Sequence, residues 1–180
     1  MYLSDEKKDP FSLRQGDILK DIDLLGALNK NNILYTVQPG SASNDFWMYR
    51  EKPETGYVMV LSHCCELDKK NGMKVTSIIV APLRDINKAS APDKIKDIIN
   101  TNIIDREHPQ KSYLKYFYIP NSEQLPYKNG AVVDFSKIFS FKNSCYDYLL
   151  SNKILQLQDD YREHMSFKLG LFFYRTQLVA

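Results

Sequence analysis

At 180 residues with 43% hydrophobic side chains, the chain is long enough to bury the core of one ordinary globular domain without disulfides or a structural metal. Its 24 basic and 22 acidic residues leave a formal charge of +2, which lacks the concentrated basic excess of a typical nucleic-acid or membrane binder. No stretch approaches the roughly 18 apolar residues of a membrane span, the opening residues lack the apolar run of a secretion signal, and the three cysteines read as thiols; a cytoplasmic protein without a cofactor or a membrane partner is expected.

Residues 1–10 are charged and end at Pro10, which predicts a flexible arm ahead of a single domain over 11–180. Gly16-Asp17 then sets a turn before the apolar Ile18 and Leu19, and Ile33, Leu34, Tyr35, Thr36 and Val37 have the β-branched and aromatic character of a strand. From Gln38 to Tyr57, the residues Pro39, Gly40, Ser41, Ser43, Asn44, Pro53 and Gly56 predict a long polar loop carrying Phe46, Trp47 and Tyr49. Two apolar runs, 57–61 and 75–81, flank Asn71-Gly72, so a hairpin-like return is expected between strands buried on both faces, with Pro82 ending the second. Ile95, Ile98, Ile99 and Ile103 recur at helical spacing over 92–104, with Asp93 as the expected cap. Segments 113–119 and 131–141 predict two more strands, separated by Pro120, Pro126, Asn129 and Gly130. A last helix over 159–176 carries Asp159 and Asp160 at its positive end, with Tyr161, Met165, Leu169, Phe172 and Phe173 on one face. The sum is mainly β with helices, an α+β domain.

The most unusual local feature is His63-Cys64-Cys65-Glu66, directly after the first apolar run. In an extended segment, alternation puts His63 and Cys65 on one face and Cys64 and Glu66 on the other. Two chemistries suit this pattern. In one, the imidazole draws the thiol proton and leaves a nucleophilic thiolate. In the other, His63 and Cys65 join His164 or Cys145 around a tetrahedral zinc ion. The plain alternative is packing: free cysteines are commonly buried, and His63 and Glu66 then serve the turn through hydrogen bonds. No paired C-x-x-C spacing marks a metal site, so none is predicted. Arg162 and His164 on the last helix have the same double reading, a site face or a partly exposed helix surface. Tyr113, Tyr116, Phe117 and Tyr118 with Lys111 and Lys115 form the mixture that stacks bases and neutralises phosphates, and equally the mixture of a strand's core face.

Gln15-Gly16-Asp17-Ile18, then Val58-Met59-Val60-Leu61-Ser62, then Ile78-Ile79-Val80-Ala81-Pro82-Leu83 resemble the ordered blocks of PemK/MazF toxins, over roughly 13–85. Ser62-His63-Cys64-Cys65-Glu66-Leu67, Val132-Val133-Asp134-Phe135 and Tyr161-Arg162-Glu163-His164-Met165 are similar to the S-H-x-C-D-L, V-V-D-F and Y-R-E-H-L segments of uncharacterised bacterial proteins, across most of the chain. The first resemblance implies a small SH3-like barrel with a C-terminal helix, a homodimer, an antitoxin or other protein partner, and action on single-stranded RNA. Such toxins place an arginine just before the central strand and a Ser or Thr just after the V-A-P strand; here Thr55-Gly56-Tyr57 and Leu83-Arg84 stand there. The expected catalytic residues are therefore His63, Cys65, Glu66 and Arg84. The expected binding residues are Gln15, Asp17, Arg50, Ser62, Cys64, Arg162 and His164, with Arg50 as the arginine that could fold back. The expectation is a toxin-related or phage-defence-associated protein that binds RNA or a partner through the His63 to Glu66 face. An endoribonuclease, a Cys-dependent hydrolase and a structural or regulatory module are the alternatives.

Overall fold

The computed structural model describes residues 1–4, 7–24, 55–67, 74–103 and 113–177, with side chains to 174. Among the described residues seven strands carry the fold: β1 (Ile18–Asp23), β2 (Thr55–Val60), β3 (Ser77–Asp85), β4 (Tyr116–Ile119), β5 (Ala131–Asp134), β6 (Phe139–Lys142) and β7 (Lys153–Leu155). Five α-helices among the described residues accompany them: α1 (Cys64–Leu67), α2 (Ile86–Ala89), α3 (Pro92–Asn100), α4 (Tyr146–Ser151) and α5 (Asp159–Gln177). The sheet runs β4-β5-β3-β2-β1-β7 with every ladder antiparallel, and β6 also pairs with β3. The expected α+β character and C-terminal helix are present. Among the described residues β4 and β7 do not pair with each other, so the sheet is open rather than a closed barrel.

β3 is the axis of this sheet. One of its edges takes β2, through Val58↔Pro82 and Val60↔Val80. The other takes β6 along Ser77 to Val80 and β5 along Leu83 to Asp85. The expected single strand over 131–141 is therefore split, because 135–138 turns out of line where the edge passes from one partner to the next. Pro82 lies inside β3 rather than at its end. Ile79 turns its carbonyl toward β2, accepting from Leu61 N at 2.8 Å. Backbone direction alternates, so the ring nitrogen of Pro82 faces the opposite edge, at the break between the β6 and β5 ladders where no donor is needed.

Both faces of the sheet are buried, as the continuous apolar runs predict. On one face Ile18, Met59, Leu61, Ala81, Leu83, Phe117, Val133 and Phe135 pack with Met165 of α5. On the other, Leu19, Ile22, Val58, Val60, Ile78 and Val80 pack with Leu13, Leu67, Tyr146 and Leu149. Leu19 and Ile22 are three apart, which strict alternation would send to opposite faces. A register shift between them, with Asp21 at φ 54, inserts the extra residue that returns Ile22 to the face of Leu19. A third cluster, Ile86, Ile98, Tyr116 and Val132, lies under α2 and α3.

Several expectations shift by a few residues. β2 begins at Thr55, so Thr55 and Gly56 belong to the strand that Tyr57 was expected to open, and not to the polar loop. The strand over 33–37, the rest of that loop and the turn at Asn71-Gly72 lie outside the described residues. α3 starts with Pro92 at its first turn and Ala91 as the capping residue, which displaces Asp93 into the first turn; Ile103 is past the helix end and exposed. Phe173 of α5 is exposed, because Met165, Leu169 and Phe172 already fill the stripe against the sheet. The segment expected as a flexible arm is docked. Tyr2 bridges Leu157, Leu3 N donates to Gln156 O at 2.9 Å, and the Tyr2 hydroxyl donates to Pro120 O at 2.6 Å. The charged residues hid an apolar pair, Met1 and Tyr2, that covers the α5-side core.

Lys168 interrupts the apolar stripe of α5. It sits three residues after Met165, is fully buried, and its Nζ donates to the Thr101 carbonyl at 2.9 Å. Burial pulls its pKa down to about 8. The folded chain therefore gives up this proton more readily than the unfolded chain, and stability rises with pH between about 8 and the ordinary value of 10.5. Lys168→Met is expected to raise stability at pH 7 by about 1–2 kcal/mol, the relief of a buried charge less the lost hydrogen bond. Urea denaturation at pH 7 and pH 10 checks this, with the gain shrinking at the higher pH.

Candidate functional site

The site begins at the turn before β1. Asp17 N donates to Arg14 O at 3.1 Å, with Gly16 at φ 86 in the third position, as a type II turn requires. Gly16 N donates to Val60 O at 2.8 Å and Val60 N to Asp17 O at 2.9 Å, so the turn is stitched to the end of β2. Gln15, 7% exposed, spans the junction: its Nε2 donates to Leu61 O at 2.8 Å and its Oε1 accepts from Ser166 Oγ of α5 at 2.6 Å. Ser62, also buried, accepts from Ile79 N at 2.8 Å. Both side chains were expected to bind a ligand, and both have their polar atoms engaged within the fold.

Asp17 is fully buried. Its Oδ2 accepts from Arg14 N at 2.7 Å and pairs with Lys153 Nζ at 2.8 Å, while Oδ1 has no hydrogen-bond partner among the described residues. Burial is the largest influence and pushes its pKa up to about 6, against the lowering pull of Lys153 and the Arg14 amide. Lys153 also donates to Asp9 O at 2.9 Å, Ser12 O at 3.0 Å and Gln156 Oε1 at 3.1 Å. Asp17 thus ties β7 and the chain start to β1, away from solvent.

The segment after β2 is not extended. Cys64–Leu67 closes into the single helical turn α1, with Leu67 buried in the core. His63, Cys65 and Glu66 are exposed and Cys64 is half-buried. The predicted pairing of His63 with Cys65 nonetheless appears, through local contact instead of strand alternation: His63 Nδ1 lies 3.0 Å from Cys65 Sγ. Cys65 N also points at Nδ1, at 3.4 Å. Cys64 turns the other way and its sulfur accepts from Gln15 N at 3.4 Å. The adjacent thiols therefore differ in kind. Cys64 joins the bracket around Gln15, and Cys65 faces water beside an imidazole.

The other expected residues do not converge on this pair. Arg84 is five residues along β3 from Ile79, roughly 17 Å at the rise of a strand. Its Nη1 donates to Asp134 Oδ2 at 3.2 Å, and Asp134 is buried at the base of the turn after β5. Arg162 pairs with Asp159 at 3.0 Å on its own helix, and Arg14 with Asp9 at 3.3 Å. Each arginine with a described side chain thus meets an aspartate. His164 is half-buried on α5, and Arg50 lies outside the described residues. Tyr116 and Phe117 are buried, and Lys115 Nζ stands 4.6 Å over the Tyr116 ring, so this aromatic strand lines the core. Among the described residues no three histidine, cysteine or carboxylate groups are placed to hold a metal ion, so the zinc quartet does not assemble there. Among these residues too, no helix is long and apolar enough to cross a membrane.

Two contributors escaped the sequence reading. Ser166 closes the bond to Gln15; its signal is only its place one turn after Arg162, whose carbonyl also accepts from Ser166 Oγ at 2.9 Å. Asp134 was read as part of a strand motif, whereas its carboxylate holds Arg84 and accepts from Ser136 N at 3.1 Å. No protein-family model matches the chain, and no curated protein matches it.

Proposed function

We propose that the chain is a PemK/MazF-like barrel relative, toxin-related or defence-associated, that binds single-stranded RNA through the exposed face at His63 to Glu66 and does not cleave it. The ordered blocks of its sequence support the family reading. The antiparallel sheet, in which β3 takes β6 and β5 in succession on one edge, is compatible with it. The observation that carries the loss of cleavage is the pairing of Arg14, Arg84 and Arg162 with aspartates. A ribonuclease must neutralise charge developing on the phosphorus oxygens, and a guanidinium already held by a carboxylate serves that poorly.

Gel retardation of a single-stranded RNA pool across a salt series tests this. Retention at low salt that weakens steadily with added salt is expected, with RNA of unchanged length. No retention at low salt ends the RNA reading and leaves an antitoxin, another protein or a second copy as the occupant; shortened RNA ends the claim that cleavage is lost. A second reading, a Cys-dependent hydrolase, rests on the 3.0 Å contact between His63 and Cys65. Such an enzyme also needs a group orienting the imidazole and donors for an oxyanion. Among the described residues nothing is hydrogen-bonded to His63 Nε2.

A further inference from the structure

We infer that Cys65 is a thiol–disulfide exchange site for small-molecule disulfides, with His63 as the base that ionises it. The inference goes beyond RNA binding and does not depend on it. Its ground is the geometry of one loop. In the tautomer with its ring proton on Nε2, the Nδ1 lone pair of His63 is open to the Cys65 backbone N–H, at 3.4 Å, and to the Cys65 thiol. Cys65 Sγ is 3.0 Å from that same lone pair. The thiol hydrogen therefore has a basic nitrogen at hydrogen-bond distance, and its transfer yields a thiolate next to an imidazolium. Both side chains are exposed, so a disulfide in solution reaches the sulfur directly.

The chemistry balances with no further group. The Cys65 thiolate attacks one sulfur of the incoming disulfide; a new S–S bond forms, the old one breaks, and the departing thiolate takes the proton held by His63. What the pair lacks for hydrolysis, an orienting third residue and an oxyanion cradle, exchange does not require. Cys64 does not resolve the product. Its sulfur is turned toward Gln15 N at 3.4 Å, and a bridge between adjacent cysteines is strained. The mixed disulfide therefore persists until an external thiol removes it, leaving a bulky adduct on the exposed loop.

The test is incubation of the full chain with glutathione disulfide at pH 7 without RNA, with adducts assigned to residues by peptide mass mapping. Exposed and with an imidazole nitrogen 3.0 Å from its sulfur, Cys65 is expected to react about tenfold or more faster than the half-buried Cys64 and Cys145. His63→Ala and the similarly sized His63→Gln are each expected to remove that advantage, Cys65→Ser to abolish the fast adduct, and excess thiol to release it. Thermal melting of each variant establishes that the fold is intact. Equal rates at Cys65 and Cys145, an unchanged rate in both His63 variants, or a Cys64–Cys65 bridge as the product overturns the proposal. Because no RNA is present, loss of RNA binding in the same preparation bears only on the function proposed above.

Discussion

Replacing Lys153 by methionine is expected to cost about 3–5 kcal/mol of stability at pH 7 and clearly less at pH 5. The pair it breaks is sealed from water, with Lys153 at 6% and Asp17 at 0% side-chain exposure. Removing the cation leaves a buried carboxylate whose Oδ1 already lacks a partner. It also releases the carbonyls of Asp9 and Ser12, and with them the docked chain start. The pH dependence follows from the raised pKa of Asp17. Because the folded chain holds this proton up to about pH 6 and the unfolded chain only to about 3.8, the group's contribution to stability is full below pH 3.8 and falls as pH rises between the two values. Without Lys153 a lowering influence disappears, so the fall extends above pH 6 and the variant suffers most at neutral pH. Asp9, whose pKa is lowered by the Ser12 and Phe11 hydrogen bonds and by Arg14 and Lys153, acts in the opposite sense and only in stronger acid. Urea denaturation at pH 5 and pH 7 measures the difference. Equal losses at both would show that Asp17 is not the group left uncompensated. The double variant Asp17→Asn, Lys153→Met should recover much of the loss, since an amide oxygen still accepts from Arg14 N and no charge is buried.

The elements legible in the sequence were those whose burial dominates their local preferences. The runs ending in Leu61 and Ala81 became β2 and β3, paired antiparallel, and the stripe through Met165 became α5. What was missed is set by contacts distant in sequence. Pro82 reads locally as a strand end, and only the handover from β6 to β5 on the far edge of β3 makes its missing donor harmless. The start of the chain reads as solvated because Lys7, Lys8 and Asp9 outnumber the apolar residues that anchor it. Its partners, Gln156, Leu157 and Pro120, lie more than a hundred residues away.

At the candidate site the sequence located the loop and misjudged how its parts divide. His63 and Cys65 do meet, yet through α1, whose four residues are too few for any periodicity to announce. Gln15, Asp17 and Ser62 stand in the blocks that resemble the PemK/MazF toxins, and binding was expected of them on that ground. Their burial shows the competing use: each satisfies a backbone group or a buried charge that the open turn and the strand end would otherwise leave unpaired. Arg84 was chosen by its position after the V-A-P strand. Only the register Arg84↔Val132 reveals that Asp134, two residues further along β5, takes the guanidinium.

Gly130→Ala is expected to be the most damaging glycine substitution, at about 2–5 kcal/mol, from the strain of a left-handed backbone plus the displacement a clash imposes. Gly130 closes the turn from Tyr127, donating to its carbonyl at 3.0 Å, and holds φ 86. An added Cβ would stand 2.5 Å from the Ile119 carbonyl oxygen and 2.8 Å from the Tyr118 ring. Neither neighbour yields easily. Ile119 is buried and paired with Ala131, and Tyr118 N donates to Asn102 Oδ1 at 2.6 Å. The two other tested glycines separate the causes. Gly16 shares φ 86 but meets only the Leu157 side chain, at 3.1 Å and beyond, so Gly16→Ala should cost mainly the backbone strain, about 1–2 kcal/mol. Gly170 lies exposed on α5 with nothing within 4 Å, so Gly170→Ala should be neutral or stabilising by up to about 1 kcal/mol. Thermal melting of the three variants reads the order directly. If Gly130→Ala loses no more than Gly16→Ala, the close approach of β4 is not what demands a glycine there, and backbone conformation alone accounts for both.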